Sequence, residues 1–282
     1  MTALLVAAVA VLVAIALGMA LARERARGRR LDERLESAAA ELQHLQQACT
    51  RLAPAGVVQR ILADGVAPDT PVAAERKVAT ALFVDLVGYT AMSERLEPPV
   101  MARILNGYFQ RVSDAVHEHR GHLSTFLGDG VLAYFGAIQP NPWQSNDAVR
   151  AALAIRTAIR AYGEELAVEG LPHLEVGIGI HRGPGLAGLI GSRERMEYGF
   201  VGRTVNLAAR VQSLTRQHRV DILVTETVRE ELDARFRVVA MPAAPVKGIA
   251  EPVVTYAVEP VESDAMAPLP AVASAPVARA VG

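Results

Sequence analysis

An α/β (α+β) sandwich, one mixed sheet with helices on its faces, is the architecture predicted for residues 77–260 of this 282-residue chain. Two observations predict it. Short apolar or alternating runs take turns with longer segments of helical period, and two strand-like runs are joined by a glycine-flanked tight turn. In chain order, Val78–Leu86 reads as a buried strand. Pro98–His119 reads as a helix with Met101, Ile104, Leu105, Tyr108, Phe109 and Val112 on one face. A hairpin occupies residues 121–136, and Ser145–Glu164 is a second amphipathic helix. Leu174–His181 alternates as a strand, Asn206–Arg216 is helical, Asp221–Val224 is a strand and Glu226–Leu232 a helix. Phe236–Val239 and Val253–Val258 close the sheet.

The flanks have a different character. Residues 1–22 carry no charged side chain, long enough to cross a hydrocarbon core of roughly 30 Å. Arg23, Arg25, Arg27, Arg29 and Arg30 follow, so the positive-inside bias predicts a single-pass anchor in the inner or plasma membrane with the C-terminal part cytoplasmic. The competing reading is a signal peptide cleaved near Ala20-Leu21-Ala22; the missing basic n-region and the long apolar run weigh against it. Leu31, Leu35, Ala38, Leu42, Leu45, Cys49 and Leu52 alternate steps of four and three, the seam of a short parallel coiled coil within 23–52 or of one amphipathic helix lying on the domain. Residues 53–76, with Pro54, Gly56, Gly65, Pro68 and Pro71, read as a linker, and the Ala/Pro-rich stretch 261–282 as a disordered tail. A single cysteine, Cys49, excludes an internal disulfide framework, and a net charge of −1 gives no reason to expect nucleic acid as a partner.

Three stretches carry groups from which chemistry can be built. LFVDLVGYT ends the first strand at Asp85, a carboxylate that serves equally as a cap for the next turn or as a metal ligand. Leu86, Val87, Gly88, Tyr89 and Thr90 then offer successive backbone N–H groups at the start of a helical stretch, a geometry that cradles phosphate, without the lysine and spacing of a P-loop. GHLSTFLGDGVLAYFG puts Asp129 at the hairpin tip between Gly128 and Gly130, either as a turn aspartate or as a second ligand. On adjacent strand ends, Asp85 and Asp129 can hold Mg2+, which binds few carboxylates and leaves positions for substrate phosphates. MEYGFVGRTVNLAARVQSL sets Asn206 and Arg210 four apart on one helix face. That pair is either a surface arginine with an acidic partner or a device to orient a sugar and neutralise a phosphoryl transition state.

These segments, with VGIGIHRGPGLAGLIGS and VKGIAEPVVTYAV, resemble in order and spacing the class III nucleotidyl cyclase catalytic domain of membrane-anchored bacterial type, from about Glu75 to Ala257. The resemblance implies a ferredoxin-like βαββαβ core and a head-to-tail homodimer with its active sites at the interface. It implies conversion of ATP to 3′,5′-cyclic AMP and pyrophosphate for second-messenger signalling, with two Mg2+ per site and Mn2+ as a substitute. By the same resemblance Asp85, Asp129 and the carbonyl of Leu86 hold metal, and Val87, Gly88, Tyr89, Thr90 and Lys247 hold triphosphate. Asn206 orients ribose and Arg210 neutralises the transition state, both supplied by the other subunit.

The chain departs from the family at base recognition. Adenylate cyclases carry a lysine at the place of Thr125 and an aspartate or threonine at the place of Gly199; the glutamate and cysteine of guanylate cyclases are absent too. Arg203 is either a solvated loop arginine or a guanidinium in the base pocket, favouring a base with carbonyl or ring-nitrogen acceptors. Three readings follow: a cyclase making cyclic AMP, a cyclase of pyrimidine or GTP specificity, and a catalytically weak nucleotide-binding regulatory module.

Overall fold

The computed structural model describes residues 74–191, 196–249 and 251–259, together with Ser37, Ala39 and Ala40. The chain divides into two compact units, Met1–Arg60 and Ile61–Gly282, and every element below belongs to the second. The expected membrane segment 1–22, the tail 261–282, the linker as far as 73 and all of the stalk except the helical Ser37, Ala39 and Ala40 lie outside the described residues. Among the described residues no helix is long and apolar enough to cross a membrane.

The elements are β1 (Glu75–Leu86), α1 (Tyr89–Ser93), α2 (Pro98–Glu118), β2 (His122–Leu127), β3 (Gly130–Phe135) and α3 (Gln144–Val168). They continue as β4 (Val176–Gly191), β5 (Met196–Val201), α4 (Arg203–His218), β6 (Ile222–Thr225), α5 (Glu226–Arg229), β7 (Val238–Ala240) and β8 (Thr255–Val258). The first four strands lie in the order β2-β3-β1-β4, each neighbour antiparallel, and with α2 and α3 they make the expected ferredoxin-like βαββαβ core. β6 joins β4 in parallel, β8 and β7 extend that side antiparallel, and β5 folds back on β4. The sheet is therefore mixed, as the alternation of strands and helices predicts.

Side chains alternate across the pleat, which gives the sheet two different faces. Leu82, Val84 and Leu86 of β1 and Ile178 and Ile180 of β4 pack with Val131 and Phe135 of β3 against Ile104, Tyr108 and Val112 of α2 and Ile155 and Ile159 of α3. On the other face α4 buries Val211 and Leu214 against Leu223, Ala244, Val246 and Ala257. Asp85, between Val84 and Leu86, is thereby turned toward the α4 face.

Glycines on β4 let α4 come that close. A Cβ on Gly179 would stand 2.1 Å from the Gln212 backbone nitrogen and 2.4 Å from the Ala208 carbonyl oxygen. A Cβ on Gly177 would meet Thr215 Oγ1 at 2.4 Å, and one on Gly183 would meet Thr204 Oγ1 at 2.7 Å. The helix thus runs antiparallel along the strand, with its C-terminal end beside Gly177, the residue that pairs with Asp85 on β1.

The ends of the elements depart from the sequence expectation in three places. β1 starts at Glu75, inside the stretch expected as linker, because Glu75, Arg76 and Lys77 pair with Ala187, Leu186 and Gly185. β4 does not stop at His181, where the expected strand ends: Arg182–Gly185 is held straight by pairing with β1, and the Phe200 ring lies against Gly185. β5 was not expected, and its Tyr198 and Phe200 are buried, with Phe200 edge-on to Tyr134 of β3 at 5.5 Å.

A buried acid ties α2 to α3. Arg120, in a left-handed conformation (φ 61°), ends α2 and donates from Nε and Nη2 to Asp147 at 2.9 and 2.8 Å. Asn141 Nδ2 donates to the same carboxylate at 2.8 Å, so this buried charge is both paired and hydrogen-bonded. The contact holds the chain reversal that launches β2 and its hairpin.

Gly179→Ala should push α4 off the sheet, because both clashing atoms are backbone and cannot rotate away. The expected loss is roughly 3 kcal/mol, seen as a thermal midpoint lower by about 6–12 °C in circular dichroism. A midpoint within about 1 °C of wild type would mean the helix is not held by this contact.

Candidate active site

The carboxylate half of the site is assembled by strand register. β1 pairs with β3 as far as Val84 opposite Val131, and β2 pairs with β3 as far as Leu127 opposite Gly130. The two-residue turn Gly128–Asp129 therefore hangs beside the end of β1. Gly128, with φ 68°, takes the first turn position, where a positive φ favours glycine. Gly130 serves a different purpose from the one its place in the turn suggests: a Cβ there would meet the Phe83 ring at 2.9 Å.

Asp85 and Asp129 stand close enough to interact electrostatically. Burial raises the Asp85 carboxyl to about 6; Asp129 pushes the same way, and Arg216 opposes them. Two carboxylates this close resist ionising together unless a cation joins them. Arg216, from the last turn of α4, supplies part of that charge: its Nη2 donates to Asp85 Oδ2 at 3.4 Å and to the Leu86 carbonyl at 3.5 Å. Tyr108 of α2 lies within electrostatic reach of both acids, with its hydroxyl buried and without a hydrogen-bond partner among the described residues. Burial, then the charges of Asp85 and Asp129, hold that phenol protonated far above the neutral range. Sequence reasoning missed both residues. Arg216 lies 131 positions from Asp85, and Tyr108 looks like one more apolar-face residue of α2.

The turn after Asp85 is only partly open. The Val87 N–H donates to the Glu175 carbonyl at 2.9 Å, which removes it from the expected phosphate cradle. Gly88, φ 76°, leads into α1, whose first N–H groups, at Tyr89 and Thr90, have no acceptor within the helix.

Asn206 and Arg210 form a second half elsewhere. With Arg203, Arg76, His181 and Gly248 they line a groove of about 670 Å³ on the α4 side of β4 and β5. Arg203 and Asn206 are exposed and Arg210 is half-buried. The Arg210 guanidinium lies 3.7 Å from where a Cβ of Gly248 would stand, whereas Lys247 is exposed and does not line the groove. Asn206 is ten residues, or about 15 Å of helix, from Arg216 at the Asp85 end. One chain therefore brings Asp85 with Asp129, and Asn206 with Arg210, but not the two pairs together.

The two positions that the resemblance implies for base recognition are unlike each other. Thr125, half-buried, adjoins a register irregularity between Leu123 and Thr125 in the β2–β3 pairing, and its Oγ1 reaches only the neighbouring Phe126 carbonyl at 3.5 Å. Gly199 pairs with Gly188, and a Cβ there would come no nearer than 3.7 Å to Ile190 Cδ1. Glycine is thus not demanded by packing at 199; its lack of a side chain leaves space. No group of three or more His, Cys, Asp or Glu side chains is gathered for a metal among the described residues. Two carboxylates and one carbonyl, with a guanidinium already placed between them, still suit an ion that takes its remaining ligands from water and phosphate.

A family model described as "Adenylate and Guanylate cyclase catalytic domain" matches residues 72–260. The chain belongs to that family. Among curated relatives, an adenylate cyclase of Anabaena cylindrica is 33% identical over 186 residues, covering 64% of this chain and 36% of its own. Adenylate cyclase 1 of Rhizobium meliloti is 30% identical over 186 residues, covering 66% of this chain and 28% of its own. The chain thus spans about a third of the length of these relatives. Among solved structures, the adenylyl cyclase CyaB of P. aeruginosa superposes with a TM-score of 0.63 at 28% identity, over 68% of this chain and 98% of that one. The guanylyl cyclase Cya2 superposes with a TM-score of 0.61 at 32% identity, over 67% and 95%. The cyclase fold and family are therefore shown, with relatives of both purine specificities.

The raised carboxyl of Asp85 has a stability consequence in metal-free protein. Its folded pKa of about 6 lies above the unfolded value near 3.8, so the stability this group contributes is full below about 3.8 and is lost as pH rises through about 6. Asp85→Asn should raise the thermal midpoint at pH 7.5 in chelator, and the gain should shrink steadily between pH 6 and 4. A gain that does not change with pH would show that Asp85 is not protonated in this window.

Proposed function

We propose that the chain is a nucleotidyl cyclase that converts ATP to 3′,5′-cyclic AMP and pyrophosphate at sites shared between two copies of the domain. The observation that carries the reading is the division of a complete set of groups into two halves. Asp85, Asp129 and the α1 turn lie by Arg216 at the C-terminal end of α4, whereas Asn206 is ten residues, about 15 Å of helix, away from Arg216 and Arg210 six residues, about 9 Å. A head-to-tail pair of copies supplies each half to the other, which is the arrangement the resemblance implies.

Asp85, Asp129 and the Leu86 carbonyl would hold Mg2+, with Mn2+ as a substitute. The chemistry supplied by the bound ions is acidification of the ribose 3′-hydroxyl and neutralisation of triphosphate charge. The free N–H groups of Tyr89 and Thr90 and the Lys247 ammonium would take triphosphate oxygens. Asn206 from the second copy would orient the ribose so that its 3′-oxygen faces the α-phosphorus in line with the departing pyrophosphate. Arg210 would meet the charge that builds on the bridging oxygen, a role worth several kcal/mol when the donor is prepositioned, roughly 3 by comparison with an oxyanion donor.

A second reading, a cyclase of GTP or pyrimidine specificity, is favoured by Thr125 and Gly199. The first is a short hydroxyl beside a strand irregularity and the second leaves open space, so neither supplies the adenine-reading side chain of adenylate cyclases. Arg203 on the groove wall is the remaining candidate for base contact. The membrane placement, a single-pass anchor in residues 1–22 with the domain cytoplasmic, rests on the uncharged run and the arginines after it. Deleting residues 1–22 should move the protein from the membrane pellet to the soluble fraction; continued sedimentation with the membranes would count against the anchor.

Incubating the full chain with each nucleoside triphosphate and Mg2+ or Mn2+ should yield cyclic AMP as the main product by mass spectrometry. Cyclic GMP or a cyclic pyrimidine nucleotide in its place would select the second reading. No cyclic product from any triphosphate, with dimers demonstrated, would leave only a nucleotide-binding regulatory module. Asp129→Ala and Arg210→Ala should each lower turnover at least 100-fold. Mixing Asp85→Ala with Arg210→Ala chains should restore activity by rebuilding one intact site per mixed dimer. Mixed dimers without recovery would refute shared sites.

A further inference from the structure

Arg216 stands where a cation belongs. Its Nη2 addresses two oxygens at once, Asp85 Oδ2 at 3.4 Å and the Leu86 carbonyl at 3.5 Å. Those are the two β1 oxygens assigned above to metal. An Mg2+ bound at about 2.1 Å from each would have to occupy the space into which the guanidinium now points, and the two positive groups would repel. The arginine is also built to leave. Its side chain is 58% exposed, and both contacts sit at the long limit of hydrogen bonding, unlike the short paired bonds that Arg120 makes to buried Asp147.

Its position follows from the backbone. The glycine face of β4 fixes how closely α4 approaches and in which register, with Thr215 against Gly177 and Gly177 opposite Asp85. The next residue, Arg216, is thereby delivered to the carboxylates. A basic residue in the last turn of a helix is common for its own reasons, since it complements the helix dipole. Contact with the one carboxylate and the one carbonyl at the end of β1 is not required by that role.

We propose that Arg216 is a positioning residue that acts as an internal counter-cation: it holds Asp85 and the Leu86 carbonyl in place in the metal-free site, and a divalent ion must displace it to bind. The proposal rests on the metal-binding reading of Asp85. Arg216 lowers the charge repulsion between Asp85 and Asp129 while the site is free and weakens metal affinity by competing for the same oxygens. A site of this kind fills only when metal is available in excess of the arginine's local hold, or when triphosphate arrives with the metal and offers the guanidinium new oxygens.

The test is Mn2+ binding to the full chain in detergent, read from the loss of the free-ion signal in electron paramagnetic resonance, without nucleotide. Arg216→Met, which keeps the length and removes the charge, should bind Mn2+ about five- to tenfold more tightly than wild type. Arg216→Lys, which keeps the charge, should stay within about twofold. Circular dichroism should show both variants folded, as expected for an exposed side chain. Unchanged or weaker binding by Arg216→Met would overturn the proposal, as would equal tightening by Arg216→Lys. Combining Arg216→Met with Asp85→Asn should abolish the tightening; if it persists, the effect does not pass through Asp85 and the proposal falls. If Asp85→Asn alone binds Mn2+ as tightly as wild type, the metal reading of Asp85 fails and the proposal goes with it.

Discussion

The approach of α4 to the glycine face of β4 is the constraint on which the rest of the site depends. Ala208, Gln212 and Thr215 sit where side chains on Gly177 and Gly179 would have to be, three of the contacts being with helix backbone. Helix and strand can meet that closely only where the strand has no Cβ. The close contact also sets the helix register, and the register decides what stands at each end. Arg216 arrives at Asp85, while Asn206 and Arg210 look into the groove beside Gly248.

That spacing has an electrostatic meaning. The end of β1 gathers two carboxylates, one of which is raised to about 6, and a buried phenol whose hydroxyl finds no partner among the described residues. Such a cluster costs stability unless a positive group joins it. The groove at the other side gathers Arg76, Arg203 and Arg210. The two regions of one chain therefore carry opposite charge.

Base recognition sits apart from this framework. Thr125 and Gly199, the positions that the resemblance implies for base recognition, belong to β2 and β5, an edge strand and a fold-back strand, whereas α4 is seated on the glycines of β4. The backbone at 199 has room for a side chain, so the fold does not require glycine there.

Much of this was legible in the sequence. Period-two and helical patterns located β1, α2, the hairpin, α3 and α4, and the order of the motifs carried the family and the ferredoxin-like core. Asp85 and Asp129 were found as a pair because each ends a strand or tops a turn. What was not legible has a common cause: it depends on what lies across the sheet. β4 reads as ending at His181 until β1 and Phe200 are placed beside its continuation, and β5 has no run long enough to announce itself. Val87 looks free until Glu175 takes its N–H. Arg216 is an ordinary helix-end arginine by every local rule, and Tyr108 an ordinary core residue. Local chemistry and periodicity determined which groups the chain carries and on which elements. Only tertiary packing, through backbone contacts a Cβ would forbid, decided which of those groups meet in one chain and which stay apart.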